Sequence, residues 1–161
     1  MASDLPPLPK TFVGSAILQL VAGAVALNAG SLALIWGCTN GYIATGIWVG
    51  SVVFITSIIG ILTAVYRERS WVISYLSLSL LGALLGLTLV AIELSALWTD
   101  LQCRDYPITC DTQCIRVHEF NIGSGAVEIF GAFGAVVLCL KNLWELAQGV
   151  PYSKLVKHTN I

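Results

Sequence analysis

The chain has 161 residues, of which 57% are hydrophobic and 11% charged, with a net charge of −1 and a mean hydropathy of +0.83. A water-soluble domain carries roughly 45–50% apolar and about 25% charged residues, so this composition excludes one and points to a membrane protein. The net charge by itself says nothing about nucleic acid, but no lysine or arginine run exists to bind a phosphate backbone or anionic lipid strongly, so no nucleic-acid partner is assigned.

The opening segment MASDLPPLPK carries an acid, three prolines and one lysine. It lacks the basic start and small-residue cleavage site of a signal peptide, so the first apolar run is expected to be a retained span. That run, Phe12–Trp36, is long enough to cross a hydrocarbon core of about 30 Å, which takes about 20 residues. Within it Ala16, Gln19, Gly23, Ala26, Gly30, Ala33 and Gly37 alternate spacings of three and four. In lipid no hydrophobic force presses helices together, so small residues at this period mark a face on which backbones approach. Gln19 and Asn28 are expected to make interhelical hydrogen bonds.

The second run, Tyr42–Tyr66, repeats the device with Gly46, Gly50, Val53, Ser57, Gly60 and Ala64. After the short basic turn at Arg67 and Arg69, the third run, Trp71–Trp98, does so with Ser79, Gly82, Gly86, Leu89, Glu93 and Ala96. The spacing is that of left-handed antiparallel packing near +20°. Most of these positions are assigned to packing within the bundle, and the remainder to a partner protein.

Residues 99–121, TDLQCRDYPITCDTQCIRVHEFN, form the only substantial loop. Its Cys103, Cys110 and Cys114, with Cys38 beyond the first run, lie on one side of the membrane and allow three pairings, which spacing does not distinguish. Cys110, Cys114 and His118 stand at i, i+4 and i+8, which would suit a metal on a helix. Pro107 and the polar residues favour irregular backbone, however, and no metal or cofactor is assigned. No Asn-x-Ser/Thr glycosylation site occurs in this loop.

The fourth run, Ile122–Leu146, offers Gly125, Glu128, Ala132, Ala135 and Cys139, with Gly131 beside them. Cys139 is read as a small packing residue rather than an acylation site. Glu93 and Glu128 lie some 7–9 Å below the same membrane boundary at about 1.5 Å per residue. An intramembrane carboxylate is costly and marks function by default. Three readings stay open: hydrogen bonding to Ser95, Ser124 or backbone, a polar anchor for a partner protein, or a cation or proton site. The tail ends Thr159-Asn160-Ile161, a pattern that PDZ domains take by strand addition. Neither His118 nor His158 has a nucleophile arrangement or phosphate loop nearby, so no enzyme activity is assigned.

Lys10, Arg67, Arg69, Lys141, Lys154 and Lys157 fall on one side and Arg104 and Arg116 on the other. Basic residues are retained in the cytoplasm, which places both termini there, in a plasma or other secretory-pathway membrane. Trp36, Trp48 and Trp98 then mark the outer boundary and Trp71 and Trp144 the inner one. The expected architecture is a single all-α domain over residues 1–161, a membrane four-helix bundle.

This layout resembles the membrane-spanning four-domains family A, the B-lymphocyte-antigen-like tetraspan proteins. AILQLVAG, with Gln19 and Gly23, is similar to that family's first helix, and WVGSVVFITS, from Trp48 to Ser57, to its second. The loop departs from the family in having three cysteines where a pair is common. The resemblance implies an oligomer or scaffold that associates with a larger receptor or channel and modulates it. Transport of a cation or proton through Glu93 and Glu128 is the alternative.

Overall fold

The computed structural model describes residues 10–38, 44–66, 68–102 and 112–147. They form four helices, α1 (Lys10–Trp36), α2 (Thr45–Tyr66), α3 (Arg69–Gln102) and α4 (Thr112–Ala147), each long and apolar enough to be a candidate membrane span. The protein is an integral multi-pass membrane protein of the all-α class, its helices packed as a bundle. Helix is the form in which a spanning segment satisfies its backbone hydrogen bonds internally. Several hydroxyls are satisfied within their own helices as well: Ser31, Ser51, Thr56 and Thr63 each donate to the carbonyl four residues earlier, at 2.7–2.8 Å. A polar side chain can thus stand in an apolar layer without an unmet donor.

Each helix packs on its neighbours in the ring α1, α2, α3, α4 and back to α1. Between α1 and α2 the backbones themselves touch. A Cβ added at Gly30 would lie 2.7 Å from the Ile47 amide nitrogen, one at Gly23 2.9 Å from that of Phe54, and one at Gly50 2.8 Å from that of Leu27. Between α3 and α4, a Cβ on Gly86 or Gly125 would meet the other's carbonyl at 3.1 Å. These contacts run antiparallel, Gly23 with Gly50 and Gly30 with Gly46. The glycine edges face into the bundle, so they are not the spare surface for a partner that the sequence reading left open for them.

Three small apolar clusters fill the space between the seams. Phe12, Ala16, Val72, Tyr75, Ala135 and Cys139 occupy the end where α1 begins, with Cys139 fully buried as a packing residue. Ala26, Val49, Val53 and Leu89 fill the middle. Ala29, Ala33 and Val117 surround a disulfide between Cys38 and Cys114 at the other end, hereafter the disulfide end. Of the three pairings open from sequence, this one joins α1 to α4; Cys103 and Cys110 lie outside the described residues.

The ends depart from the sequence reading at several points. Helical structure continues through residues 99–102 and resumes at Thr112, so ten residues expected in an irregular loop belong to α4. Cys114, Val117, His118 and Asn121 are buried there against the other helices, which stabilises the extension. α2 starts at Thr45, and Tyr42 lies outside the described residues. Gly37 is not a seam residue. It is exposed, with φ +64° and nothing within 4 Å of a built Cβ. Its amide bonds Leu34 O at 3.4 Å while that of Cys38 bonds Ala33 O at 3.0 Å, the left-handed cap that closes a helix on glycine. Trp36, Trp48 and Trp98 stand at the disulfide end and Trp71 and Trp144 at the other, in two aromatic belts.

Leucine at Gly30 would drive a side chain into the α2 backbone. Gly30→Leu is expected to destabilise the bundle by at least about 1–3 kcal/mol in detergent, followed by thermal unfolding. Gly14→Leu, at a site where a Cβ meets nothing within 4 Å, should stay within about 0.5 kcal/mol of the parent.

Candidate functional site

Both intramembrane acids point inward, and each heads a polar cluster. In the first, Glu128 of α4 accepts from Gln19 Nε2 at 3.2 Å, and Gln19 Oε1 accepts from the Tyr75 hydroxyl at 2.7 Å. The Ser15 hydroxyl stands 3.5 Å from that of Tyr75. Three helices are thereby tied through one amide whose two ends are both used. Gln19 and Tyr75 are fully buried and Glu128 nearly so, which makes each bond worth more than it would be in water.

Glycine makes the room for these side chains. A Cβ on Gly82 would lie 2.5 Å from Glu128 Oε1, one on Gly60 2.6 Å from the Tyr75 ring and one on Gly131 3.1 Å from Gln19 Cγ. Three of the seam glycines are therefore sockets for a carboxylate, a phenol and an amide. Gly60 brings the remaining helix, α2, against this cluster.

The second cluster lies toward the disulfide end. Glu93 of α3 meets His118 Nδ1 at 2.5 Å and accepts from Asn121 Nδ2 at 3.1 Å. The other imidazole nitrogen, Nε2, lies 3.2 Å from Asp100 Oδ2. The ring is thus held between two carboxylates, Glu93 buried and Asp100 at the rim with 15% of its side chain exposed. Gly46 of α2 backs this cluster, since its Cβ would come 3.0 Å from Asn121 Oδ1.

Beside Glu128 lies a cavity of about 10 Å³ lined by small and aliphatic residues, with Ser124 also in its wall. That is room for the centre of one water molecule. Glu128 Oε2 is buried with no hydrogen-bond partner among the described residues. Among those residues the clusters form no metal-binding group of three or more ligands. Cys114 is held in its disulfide and His118 lies between two acids.

The arrangement differs from the sequence reading in its partners. Ser95 and Ser124 bond carbonyls of their own helices, Ile92 O and Asn121 O, rather than the acids. Asn28 is exposed and donates to Ala24 O in its own helix, and it makes no interhelical bond among the described residues. His118, Asn121, Asp100 and Tyr75 were not singled out as partners. The signal was nonetheless in the spacing, since Cys114, His118, Asn121, Gly125, Glu128, Ala132, Ala135 and Cys139 continue one alternation of four and three.

Removing the imidazole leaves Glu93 buried with Asn121 alone. His118→Phe is expected to cost about 3–5 kcal/mol, and adding Glu93→Leu to recover much of it, because the uncompensated acid is then gone as well. Unfolding of the two variants in the same detergent checks the pair. No protein-family model matches this chain, and neither the curated proteins nor the solved structures compared with it give a match.

Proposed function

We propose that this chain is a non-enzymatic accessory or scaffold subunit that associates laterally in the membrane, with a larger receptor or channel or with copies of itself. The outward face of α4 carries this reading. Gly123, Val127, Phe130, Gly134 and Val137 recur there at the four-and-three spacing of a packing seam. A Cβ on Gly123 or Gly134 would meet nothing within 4 Å, and Phe130 and Phe133 are 74% and 68% exposed. Projecting rings beside glycine notches suit a helix of another chain, since close backbone approach drives association in lipid. The interior, by contrast, has its glycines consumed, and the cavity beside Glu128 holds space for little more than a water.

The resemblance to the membrane-spanning four-domains family A supports the same reading. A disulfide belongs in an oxidising compartment, and the basic residues gather at the opposite end. Both favour cytoplasmic termini in a plasma or secretory-pathway membrane. The Thr159–Ile161 ending, as a ligand for a PDZ domain, lies outside the described residues.

A second reading has its own observation. Asp100, His118 and Glu93 lead inward from the rim, and the orphaned Glu128 Oε2 adjoins a water-sized cavity, a layout suited to carrying a proton or cation. It requires flux from the purified chain in liposomes that Glu93→Gln with Glu128→Gln abolishes; silence across pH and voltage discards it.

For lateral association, Gly123→Leu combined with Gly134→Leu should remove co-purifying proteins or oligomers seen by native mass spectrometry, with thermal unfolding unchanged. If every partner and oligomer persists in that double variant, α4 is not the contact face and the reading fails.

A further inference from the structure

At the disulfide end a groove of about 340 Å³ opens between the last turns of α1 and the first turns of α4. Its apolar walls are Leu32 and Trp36 on one side and Val117 and Phe120 on the other, with Arg116 also in the lining. We propose that this groove is a binding site for one bilayer glycerophospholipid, its phosphodiester at Arg116 and an acyl chain between Leu32 and Phe120.

The chemistry grades along the groove in the direction a phospholipid would. Arg116 and Trp36 lie nearer the ends of their helices, and Phe120 and Leu32 each lie one turn deeper. From Thr112 to Phe120 the groove runs about 12 Å at 1.5 Å per residue, the depth of a headgroup region and the first part of an acyl chain. Trp36 closes a helix that carries no charge after Lys10, so its indole sits where apolar span gives way to interface.

Arg116 is exposed and makes no ion pair or hydrogen bond among the described residues, although Asp100 and Glu119 lie on the same end of the bundle. A guanidinium presents a planar fork that fits phosphate oxygens in two parallel hydrogen bonds, and no carboxylate stands among the described residues that line the groove. Phospholipid headgroups of every charge carry that phosphate. The groove is also held in shape before a ligand arrives, because Cys38–Cys114 clamps its two walls and Ala29, Ala33 and Val117 pack beneath. Little ordering is then left for binding to impose.

Trp36 supplies the readout. In full-length protein purified in a sugar detergent, with Trp48→Phe, Trp71→Phe, Trp98→Phe and Trp144→Phe, brominated phosphatidylcholine should quench Trp36 saturably, and brominated diacylglycerol, which lacks the phosphate, should not. Arg116→Gln should raise the half-saturating phospholipid concentration about fivefold, the effect of one basic residue near a lipid surface, while Arg116→Lys, which keeps the charge but loses the fork, should fall between the parent and Arg116→Gln. Phe120→Ala, at a side chain 60% exposed and so without structural consequence, should weaken binding without changing the preference for phosphate. Alkylation of free thiols verifies that the disulfide, and with it the groove, is intact in each variant. Quenching that never saturates, as when a protein segment fills the groove, overturns the site. So does equal quenching by both lipids, or indifference to Arg116→Gln.

Discussion

Contact between the backbones of α1 and α2 is the interaction on which this bundle rests. Lipid chains are as apolar as leucine, so helices gain little by hiding aliphatic side chains from them. What they gain comes from dispersion between closely spaced atoms and from polar groups that need partners. At Gly23, Gly30, Gly46 and Gly50 the second helix lies so near the first that there is no space for a methyl group. The large side chains are turned outward as a consequence: Ile35, Leu84 and Phe130 are all more than 60% exposed, in positions that acyl chains would cover.

Close approach also creates an enclosed space in which polar groups are costly unless paired. Gly82, Gly60 and Gly131 resolve that by forming recesses for Glu128, Tyr75 and Gln19. Each recess lies on a different helix from the group it receives. Two acids, an imidazole and two amides can therefore reside inside, each in contact with a partner on another helix. The same pairing ties α3 to α4 directly at Glu93 and, at a second depth, through Gln19 of α1, which fixes register as well as proximity.

Much of this was legible in the residue pattern. Four apolar runs and the small residues at alternating spacing locate the helices and their inward faces, because in lipid only those faces can meet. Sequence does not disclose that Gly82 and Gly60 answer to particular side chains on other helices, since the antiparallel register that brings them together is a tertiary property. The ten residues before Ile122 were misjudged because their polarity reads as loop. Helix formation there is decided by burial of Val117, His118 and Asn121 against neighbours, which local composition does not record. Gly37 was assigned to a seam on spacing alone, although a glycine at the end of an apolar run is equally a helix cap.

The Cys38–Cys114 bond links the first helix to the last across 76 positions of chain. During synthesis the partner of Cys38 is not made until three spans are complete and the fourth has begun. Before that moment α1 is tied to α2 by the short connecting segment and by packing, and has no covalent link to the fourth helix. Afterwards the ring is a closed covalent circuit, and a protease that cuts a connecting segment between the two cysteines opens the chain without releasing any helix from the assembly. The oxidised pair is therefore a chemical record that the end of α1 has met the start of α4.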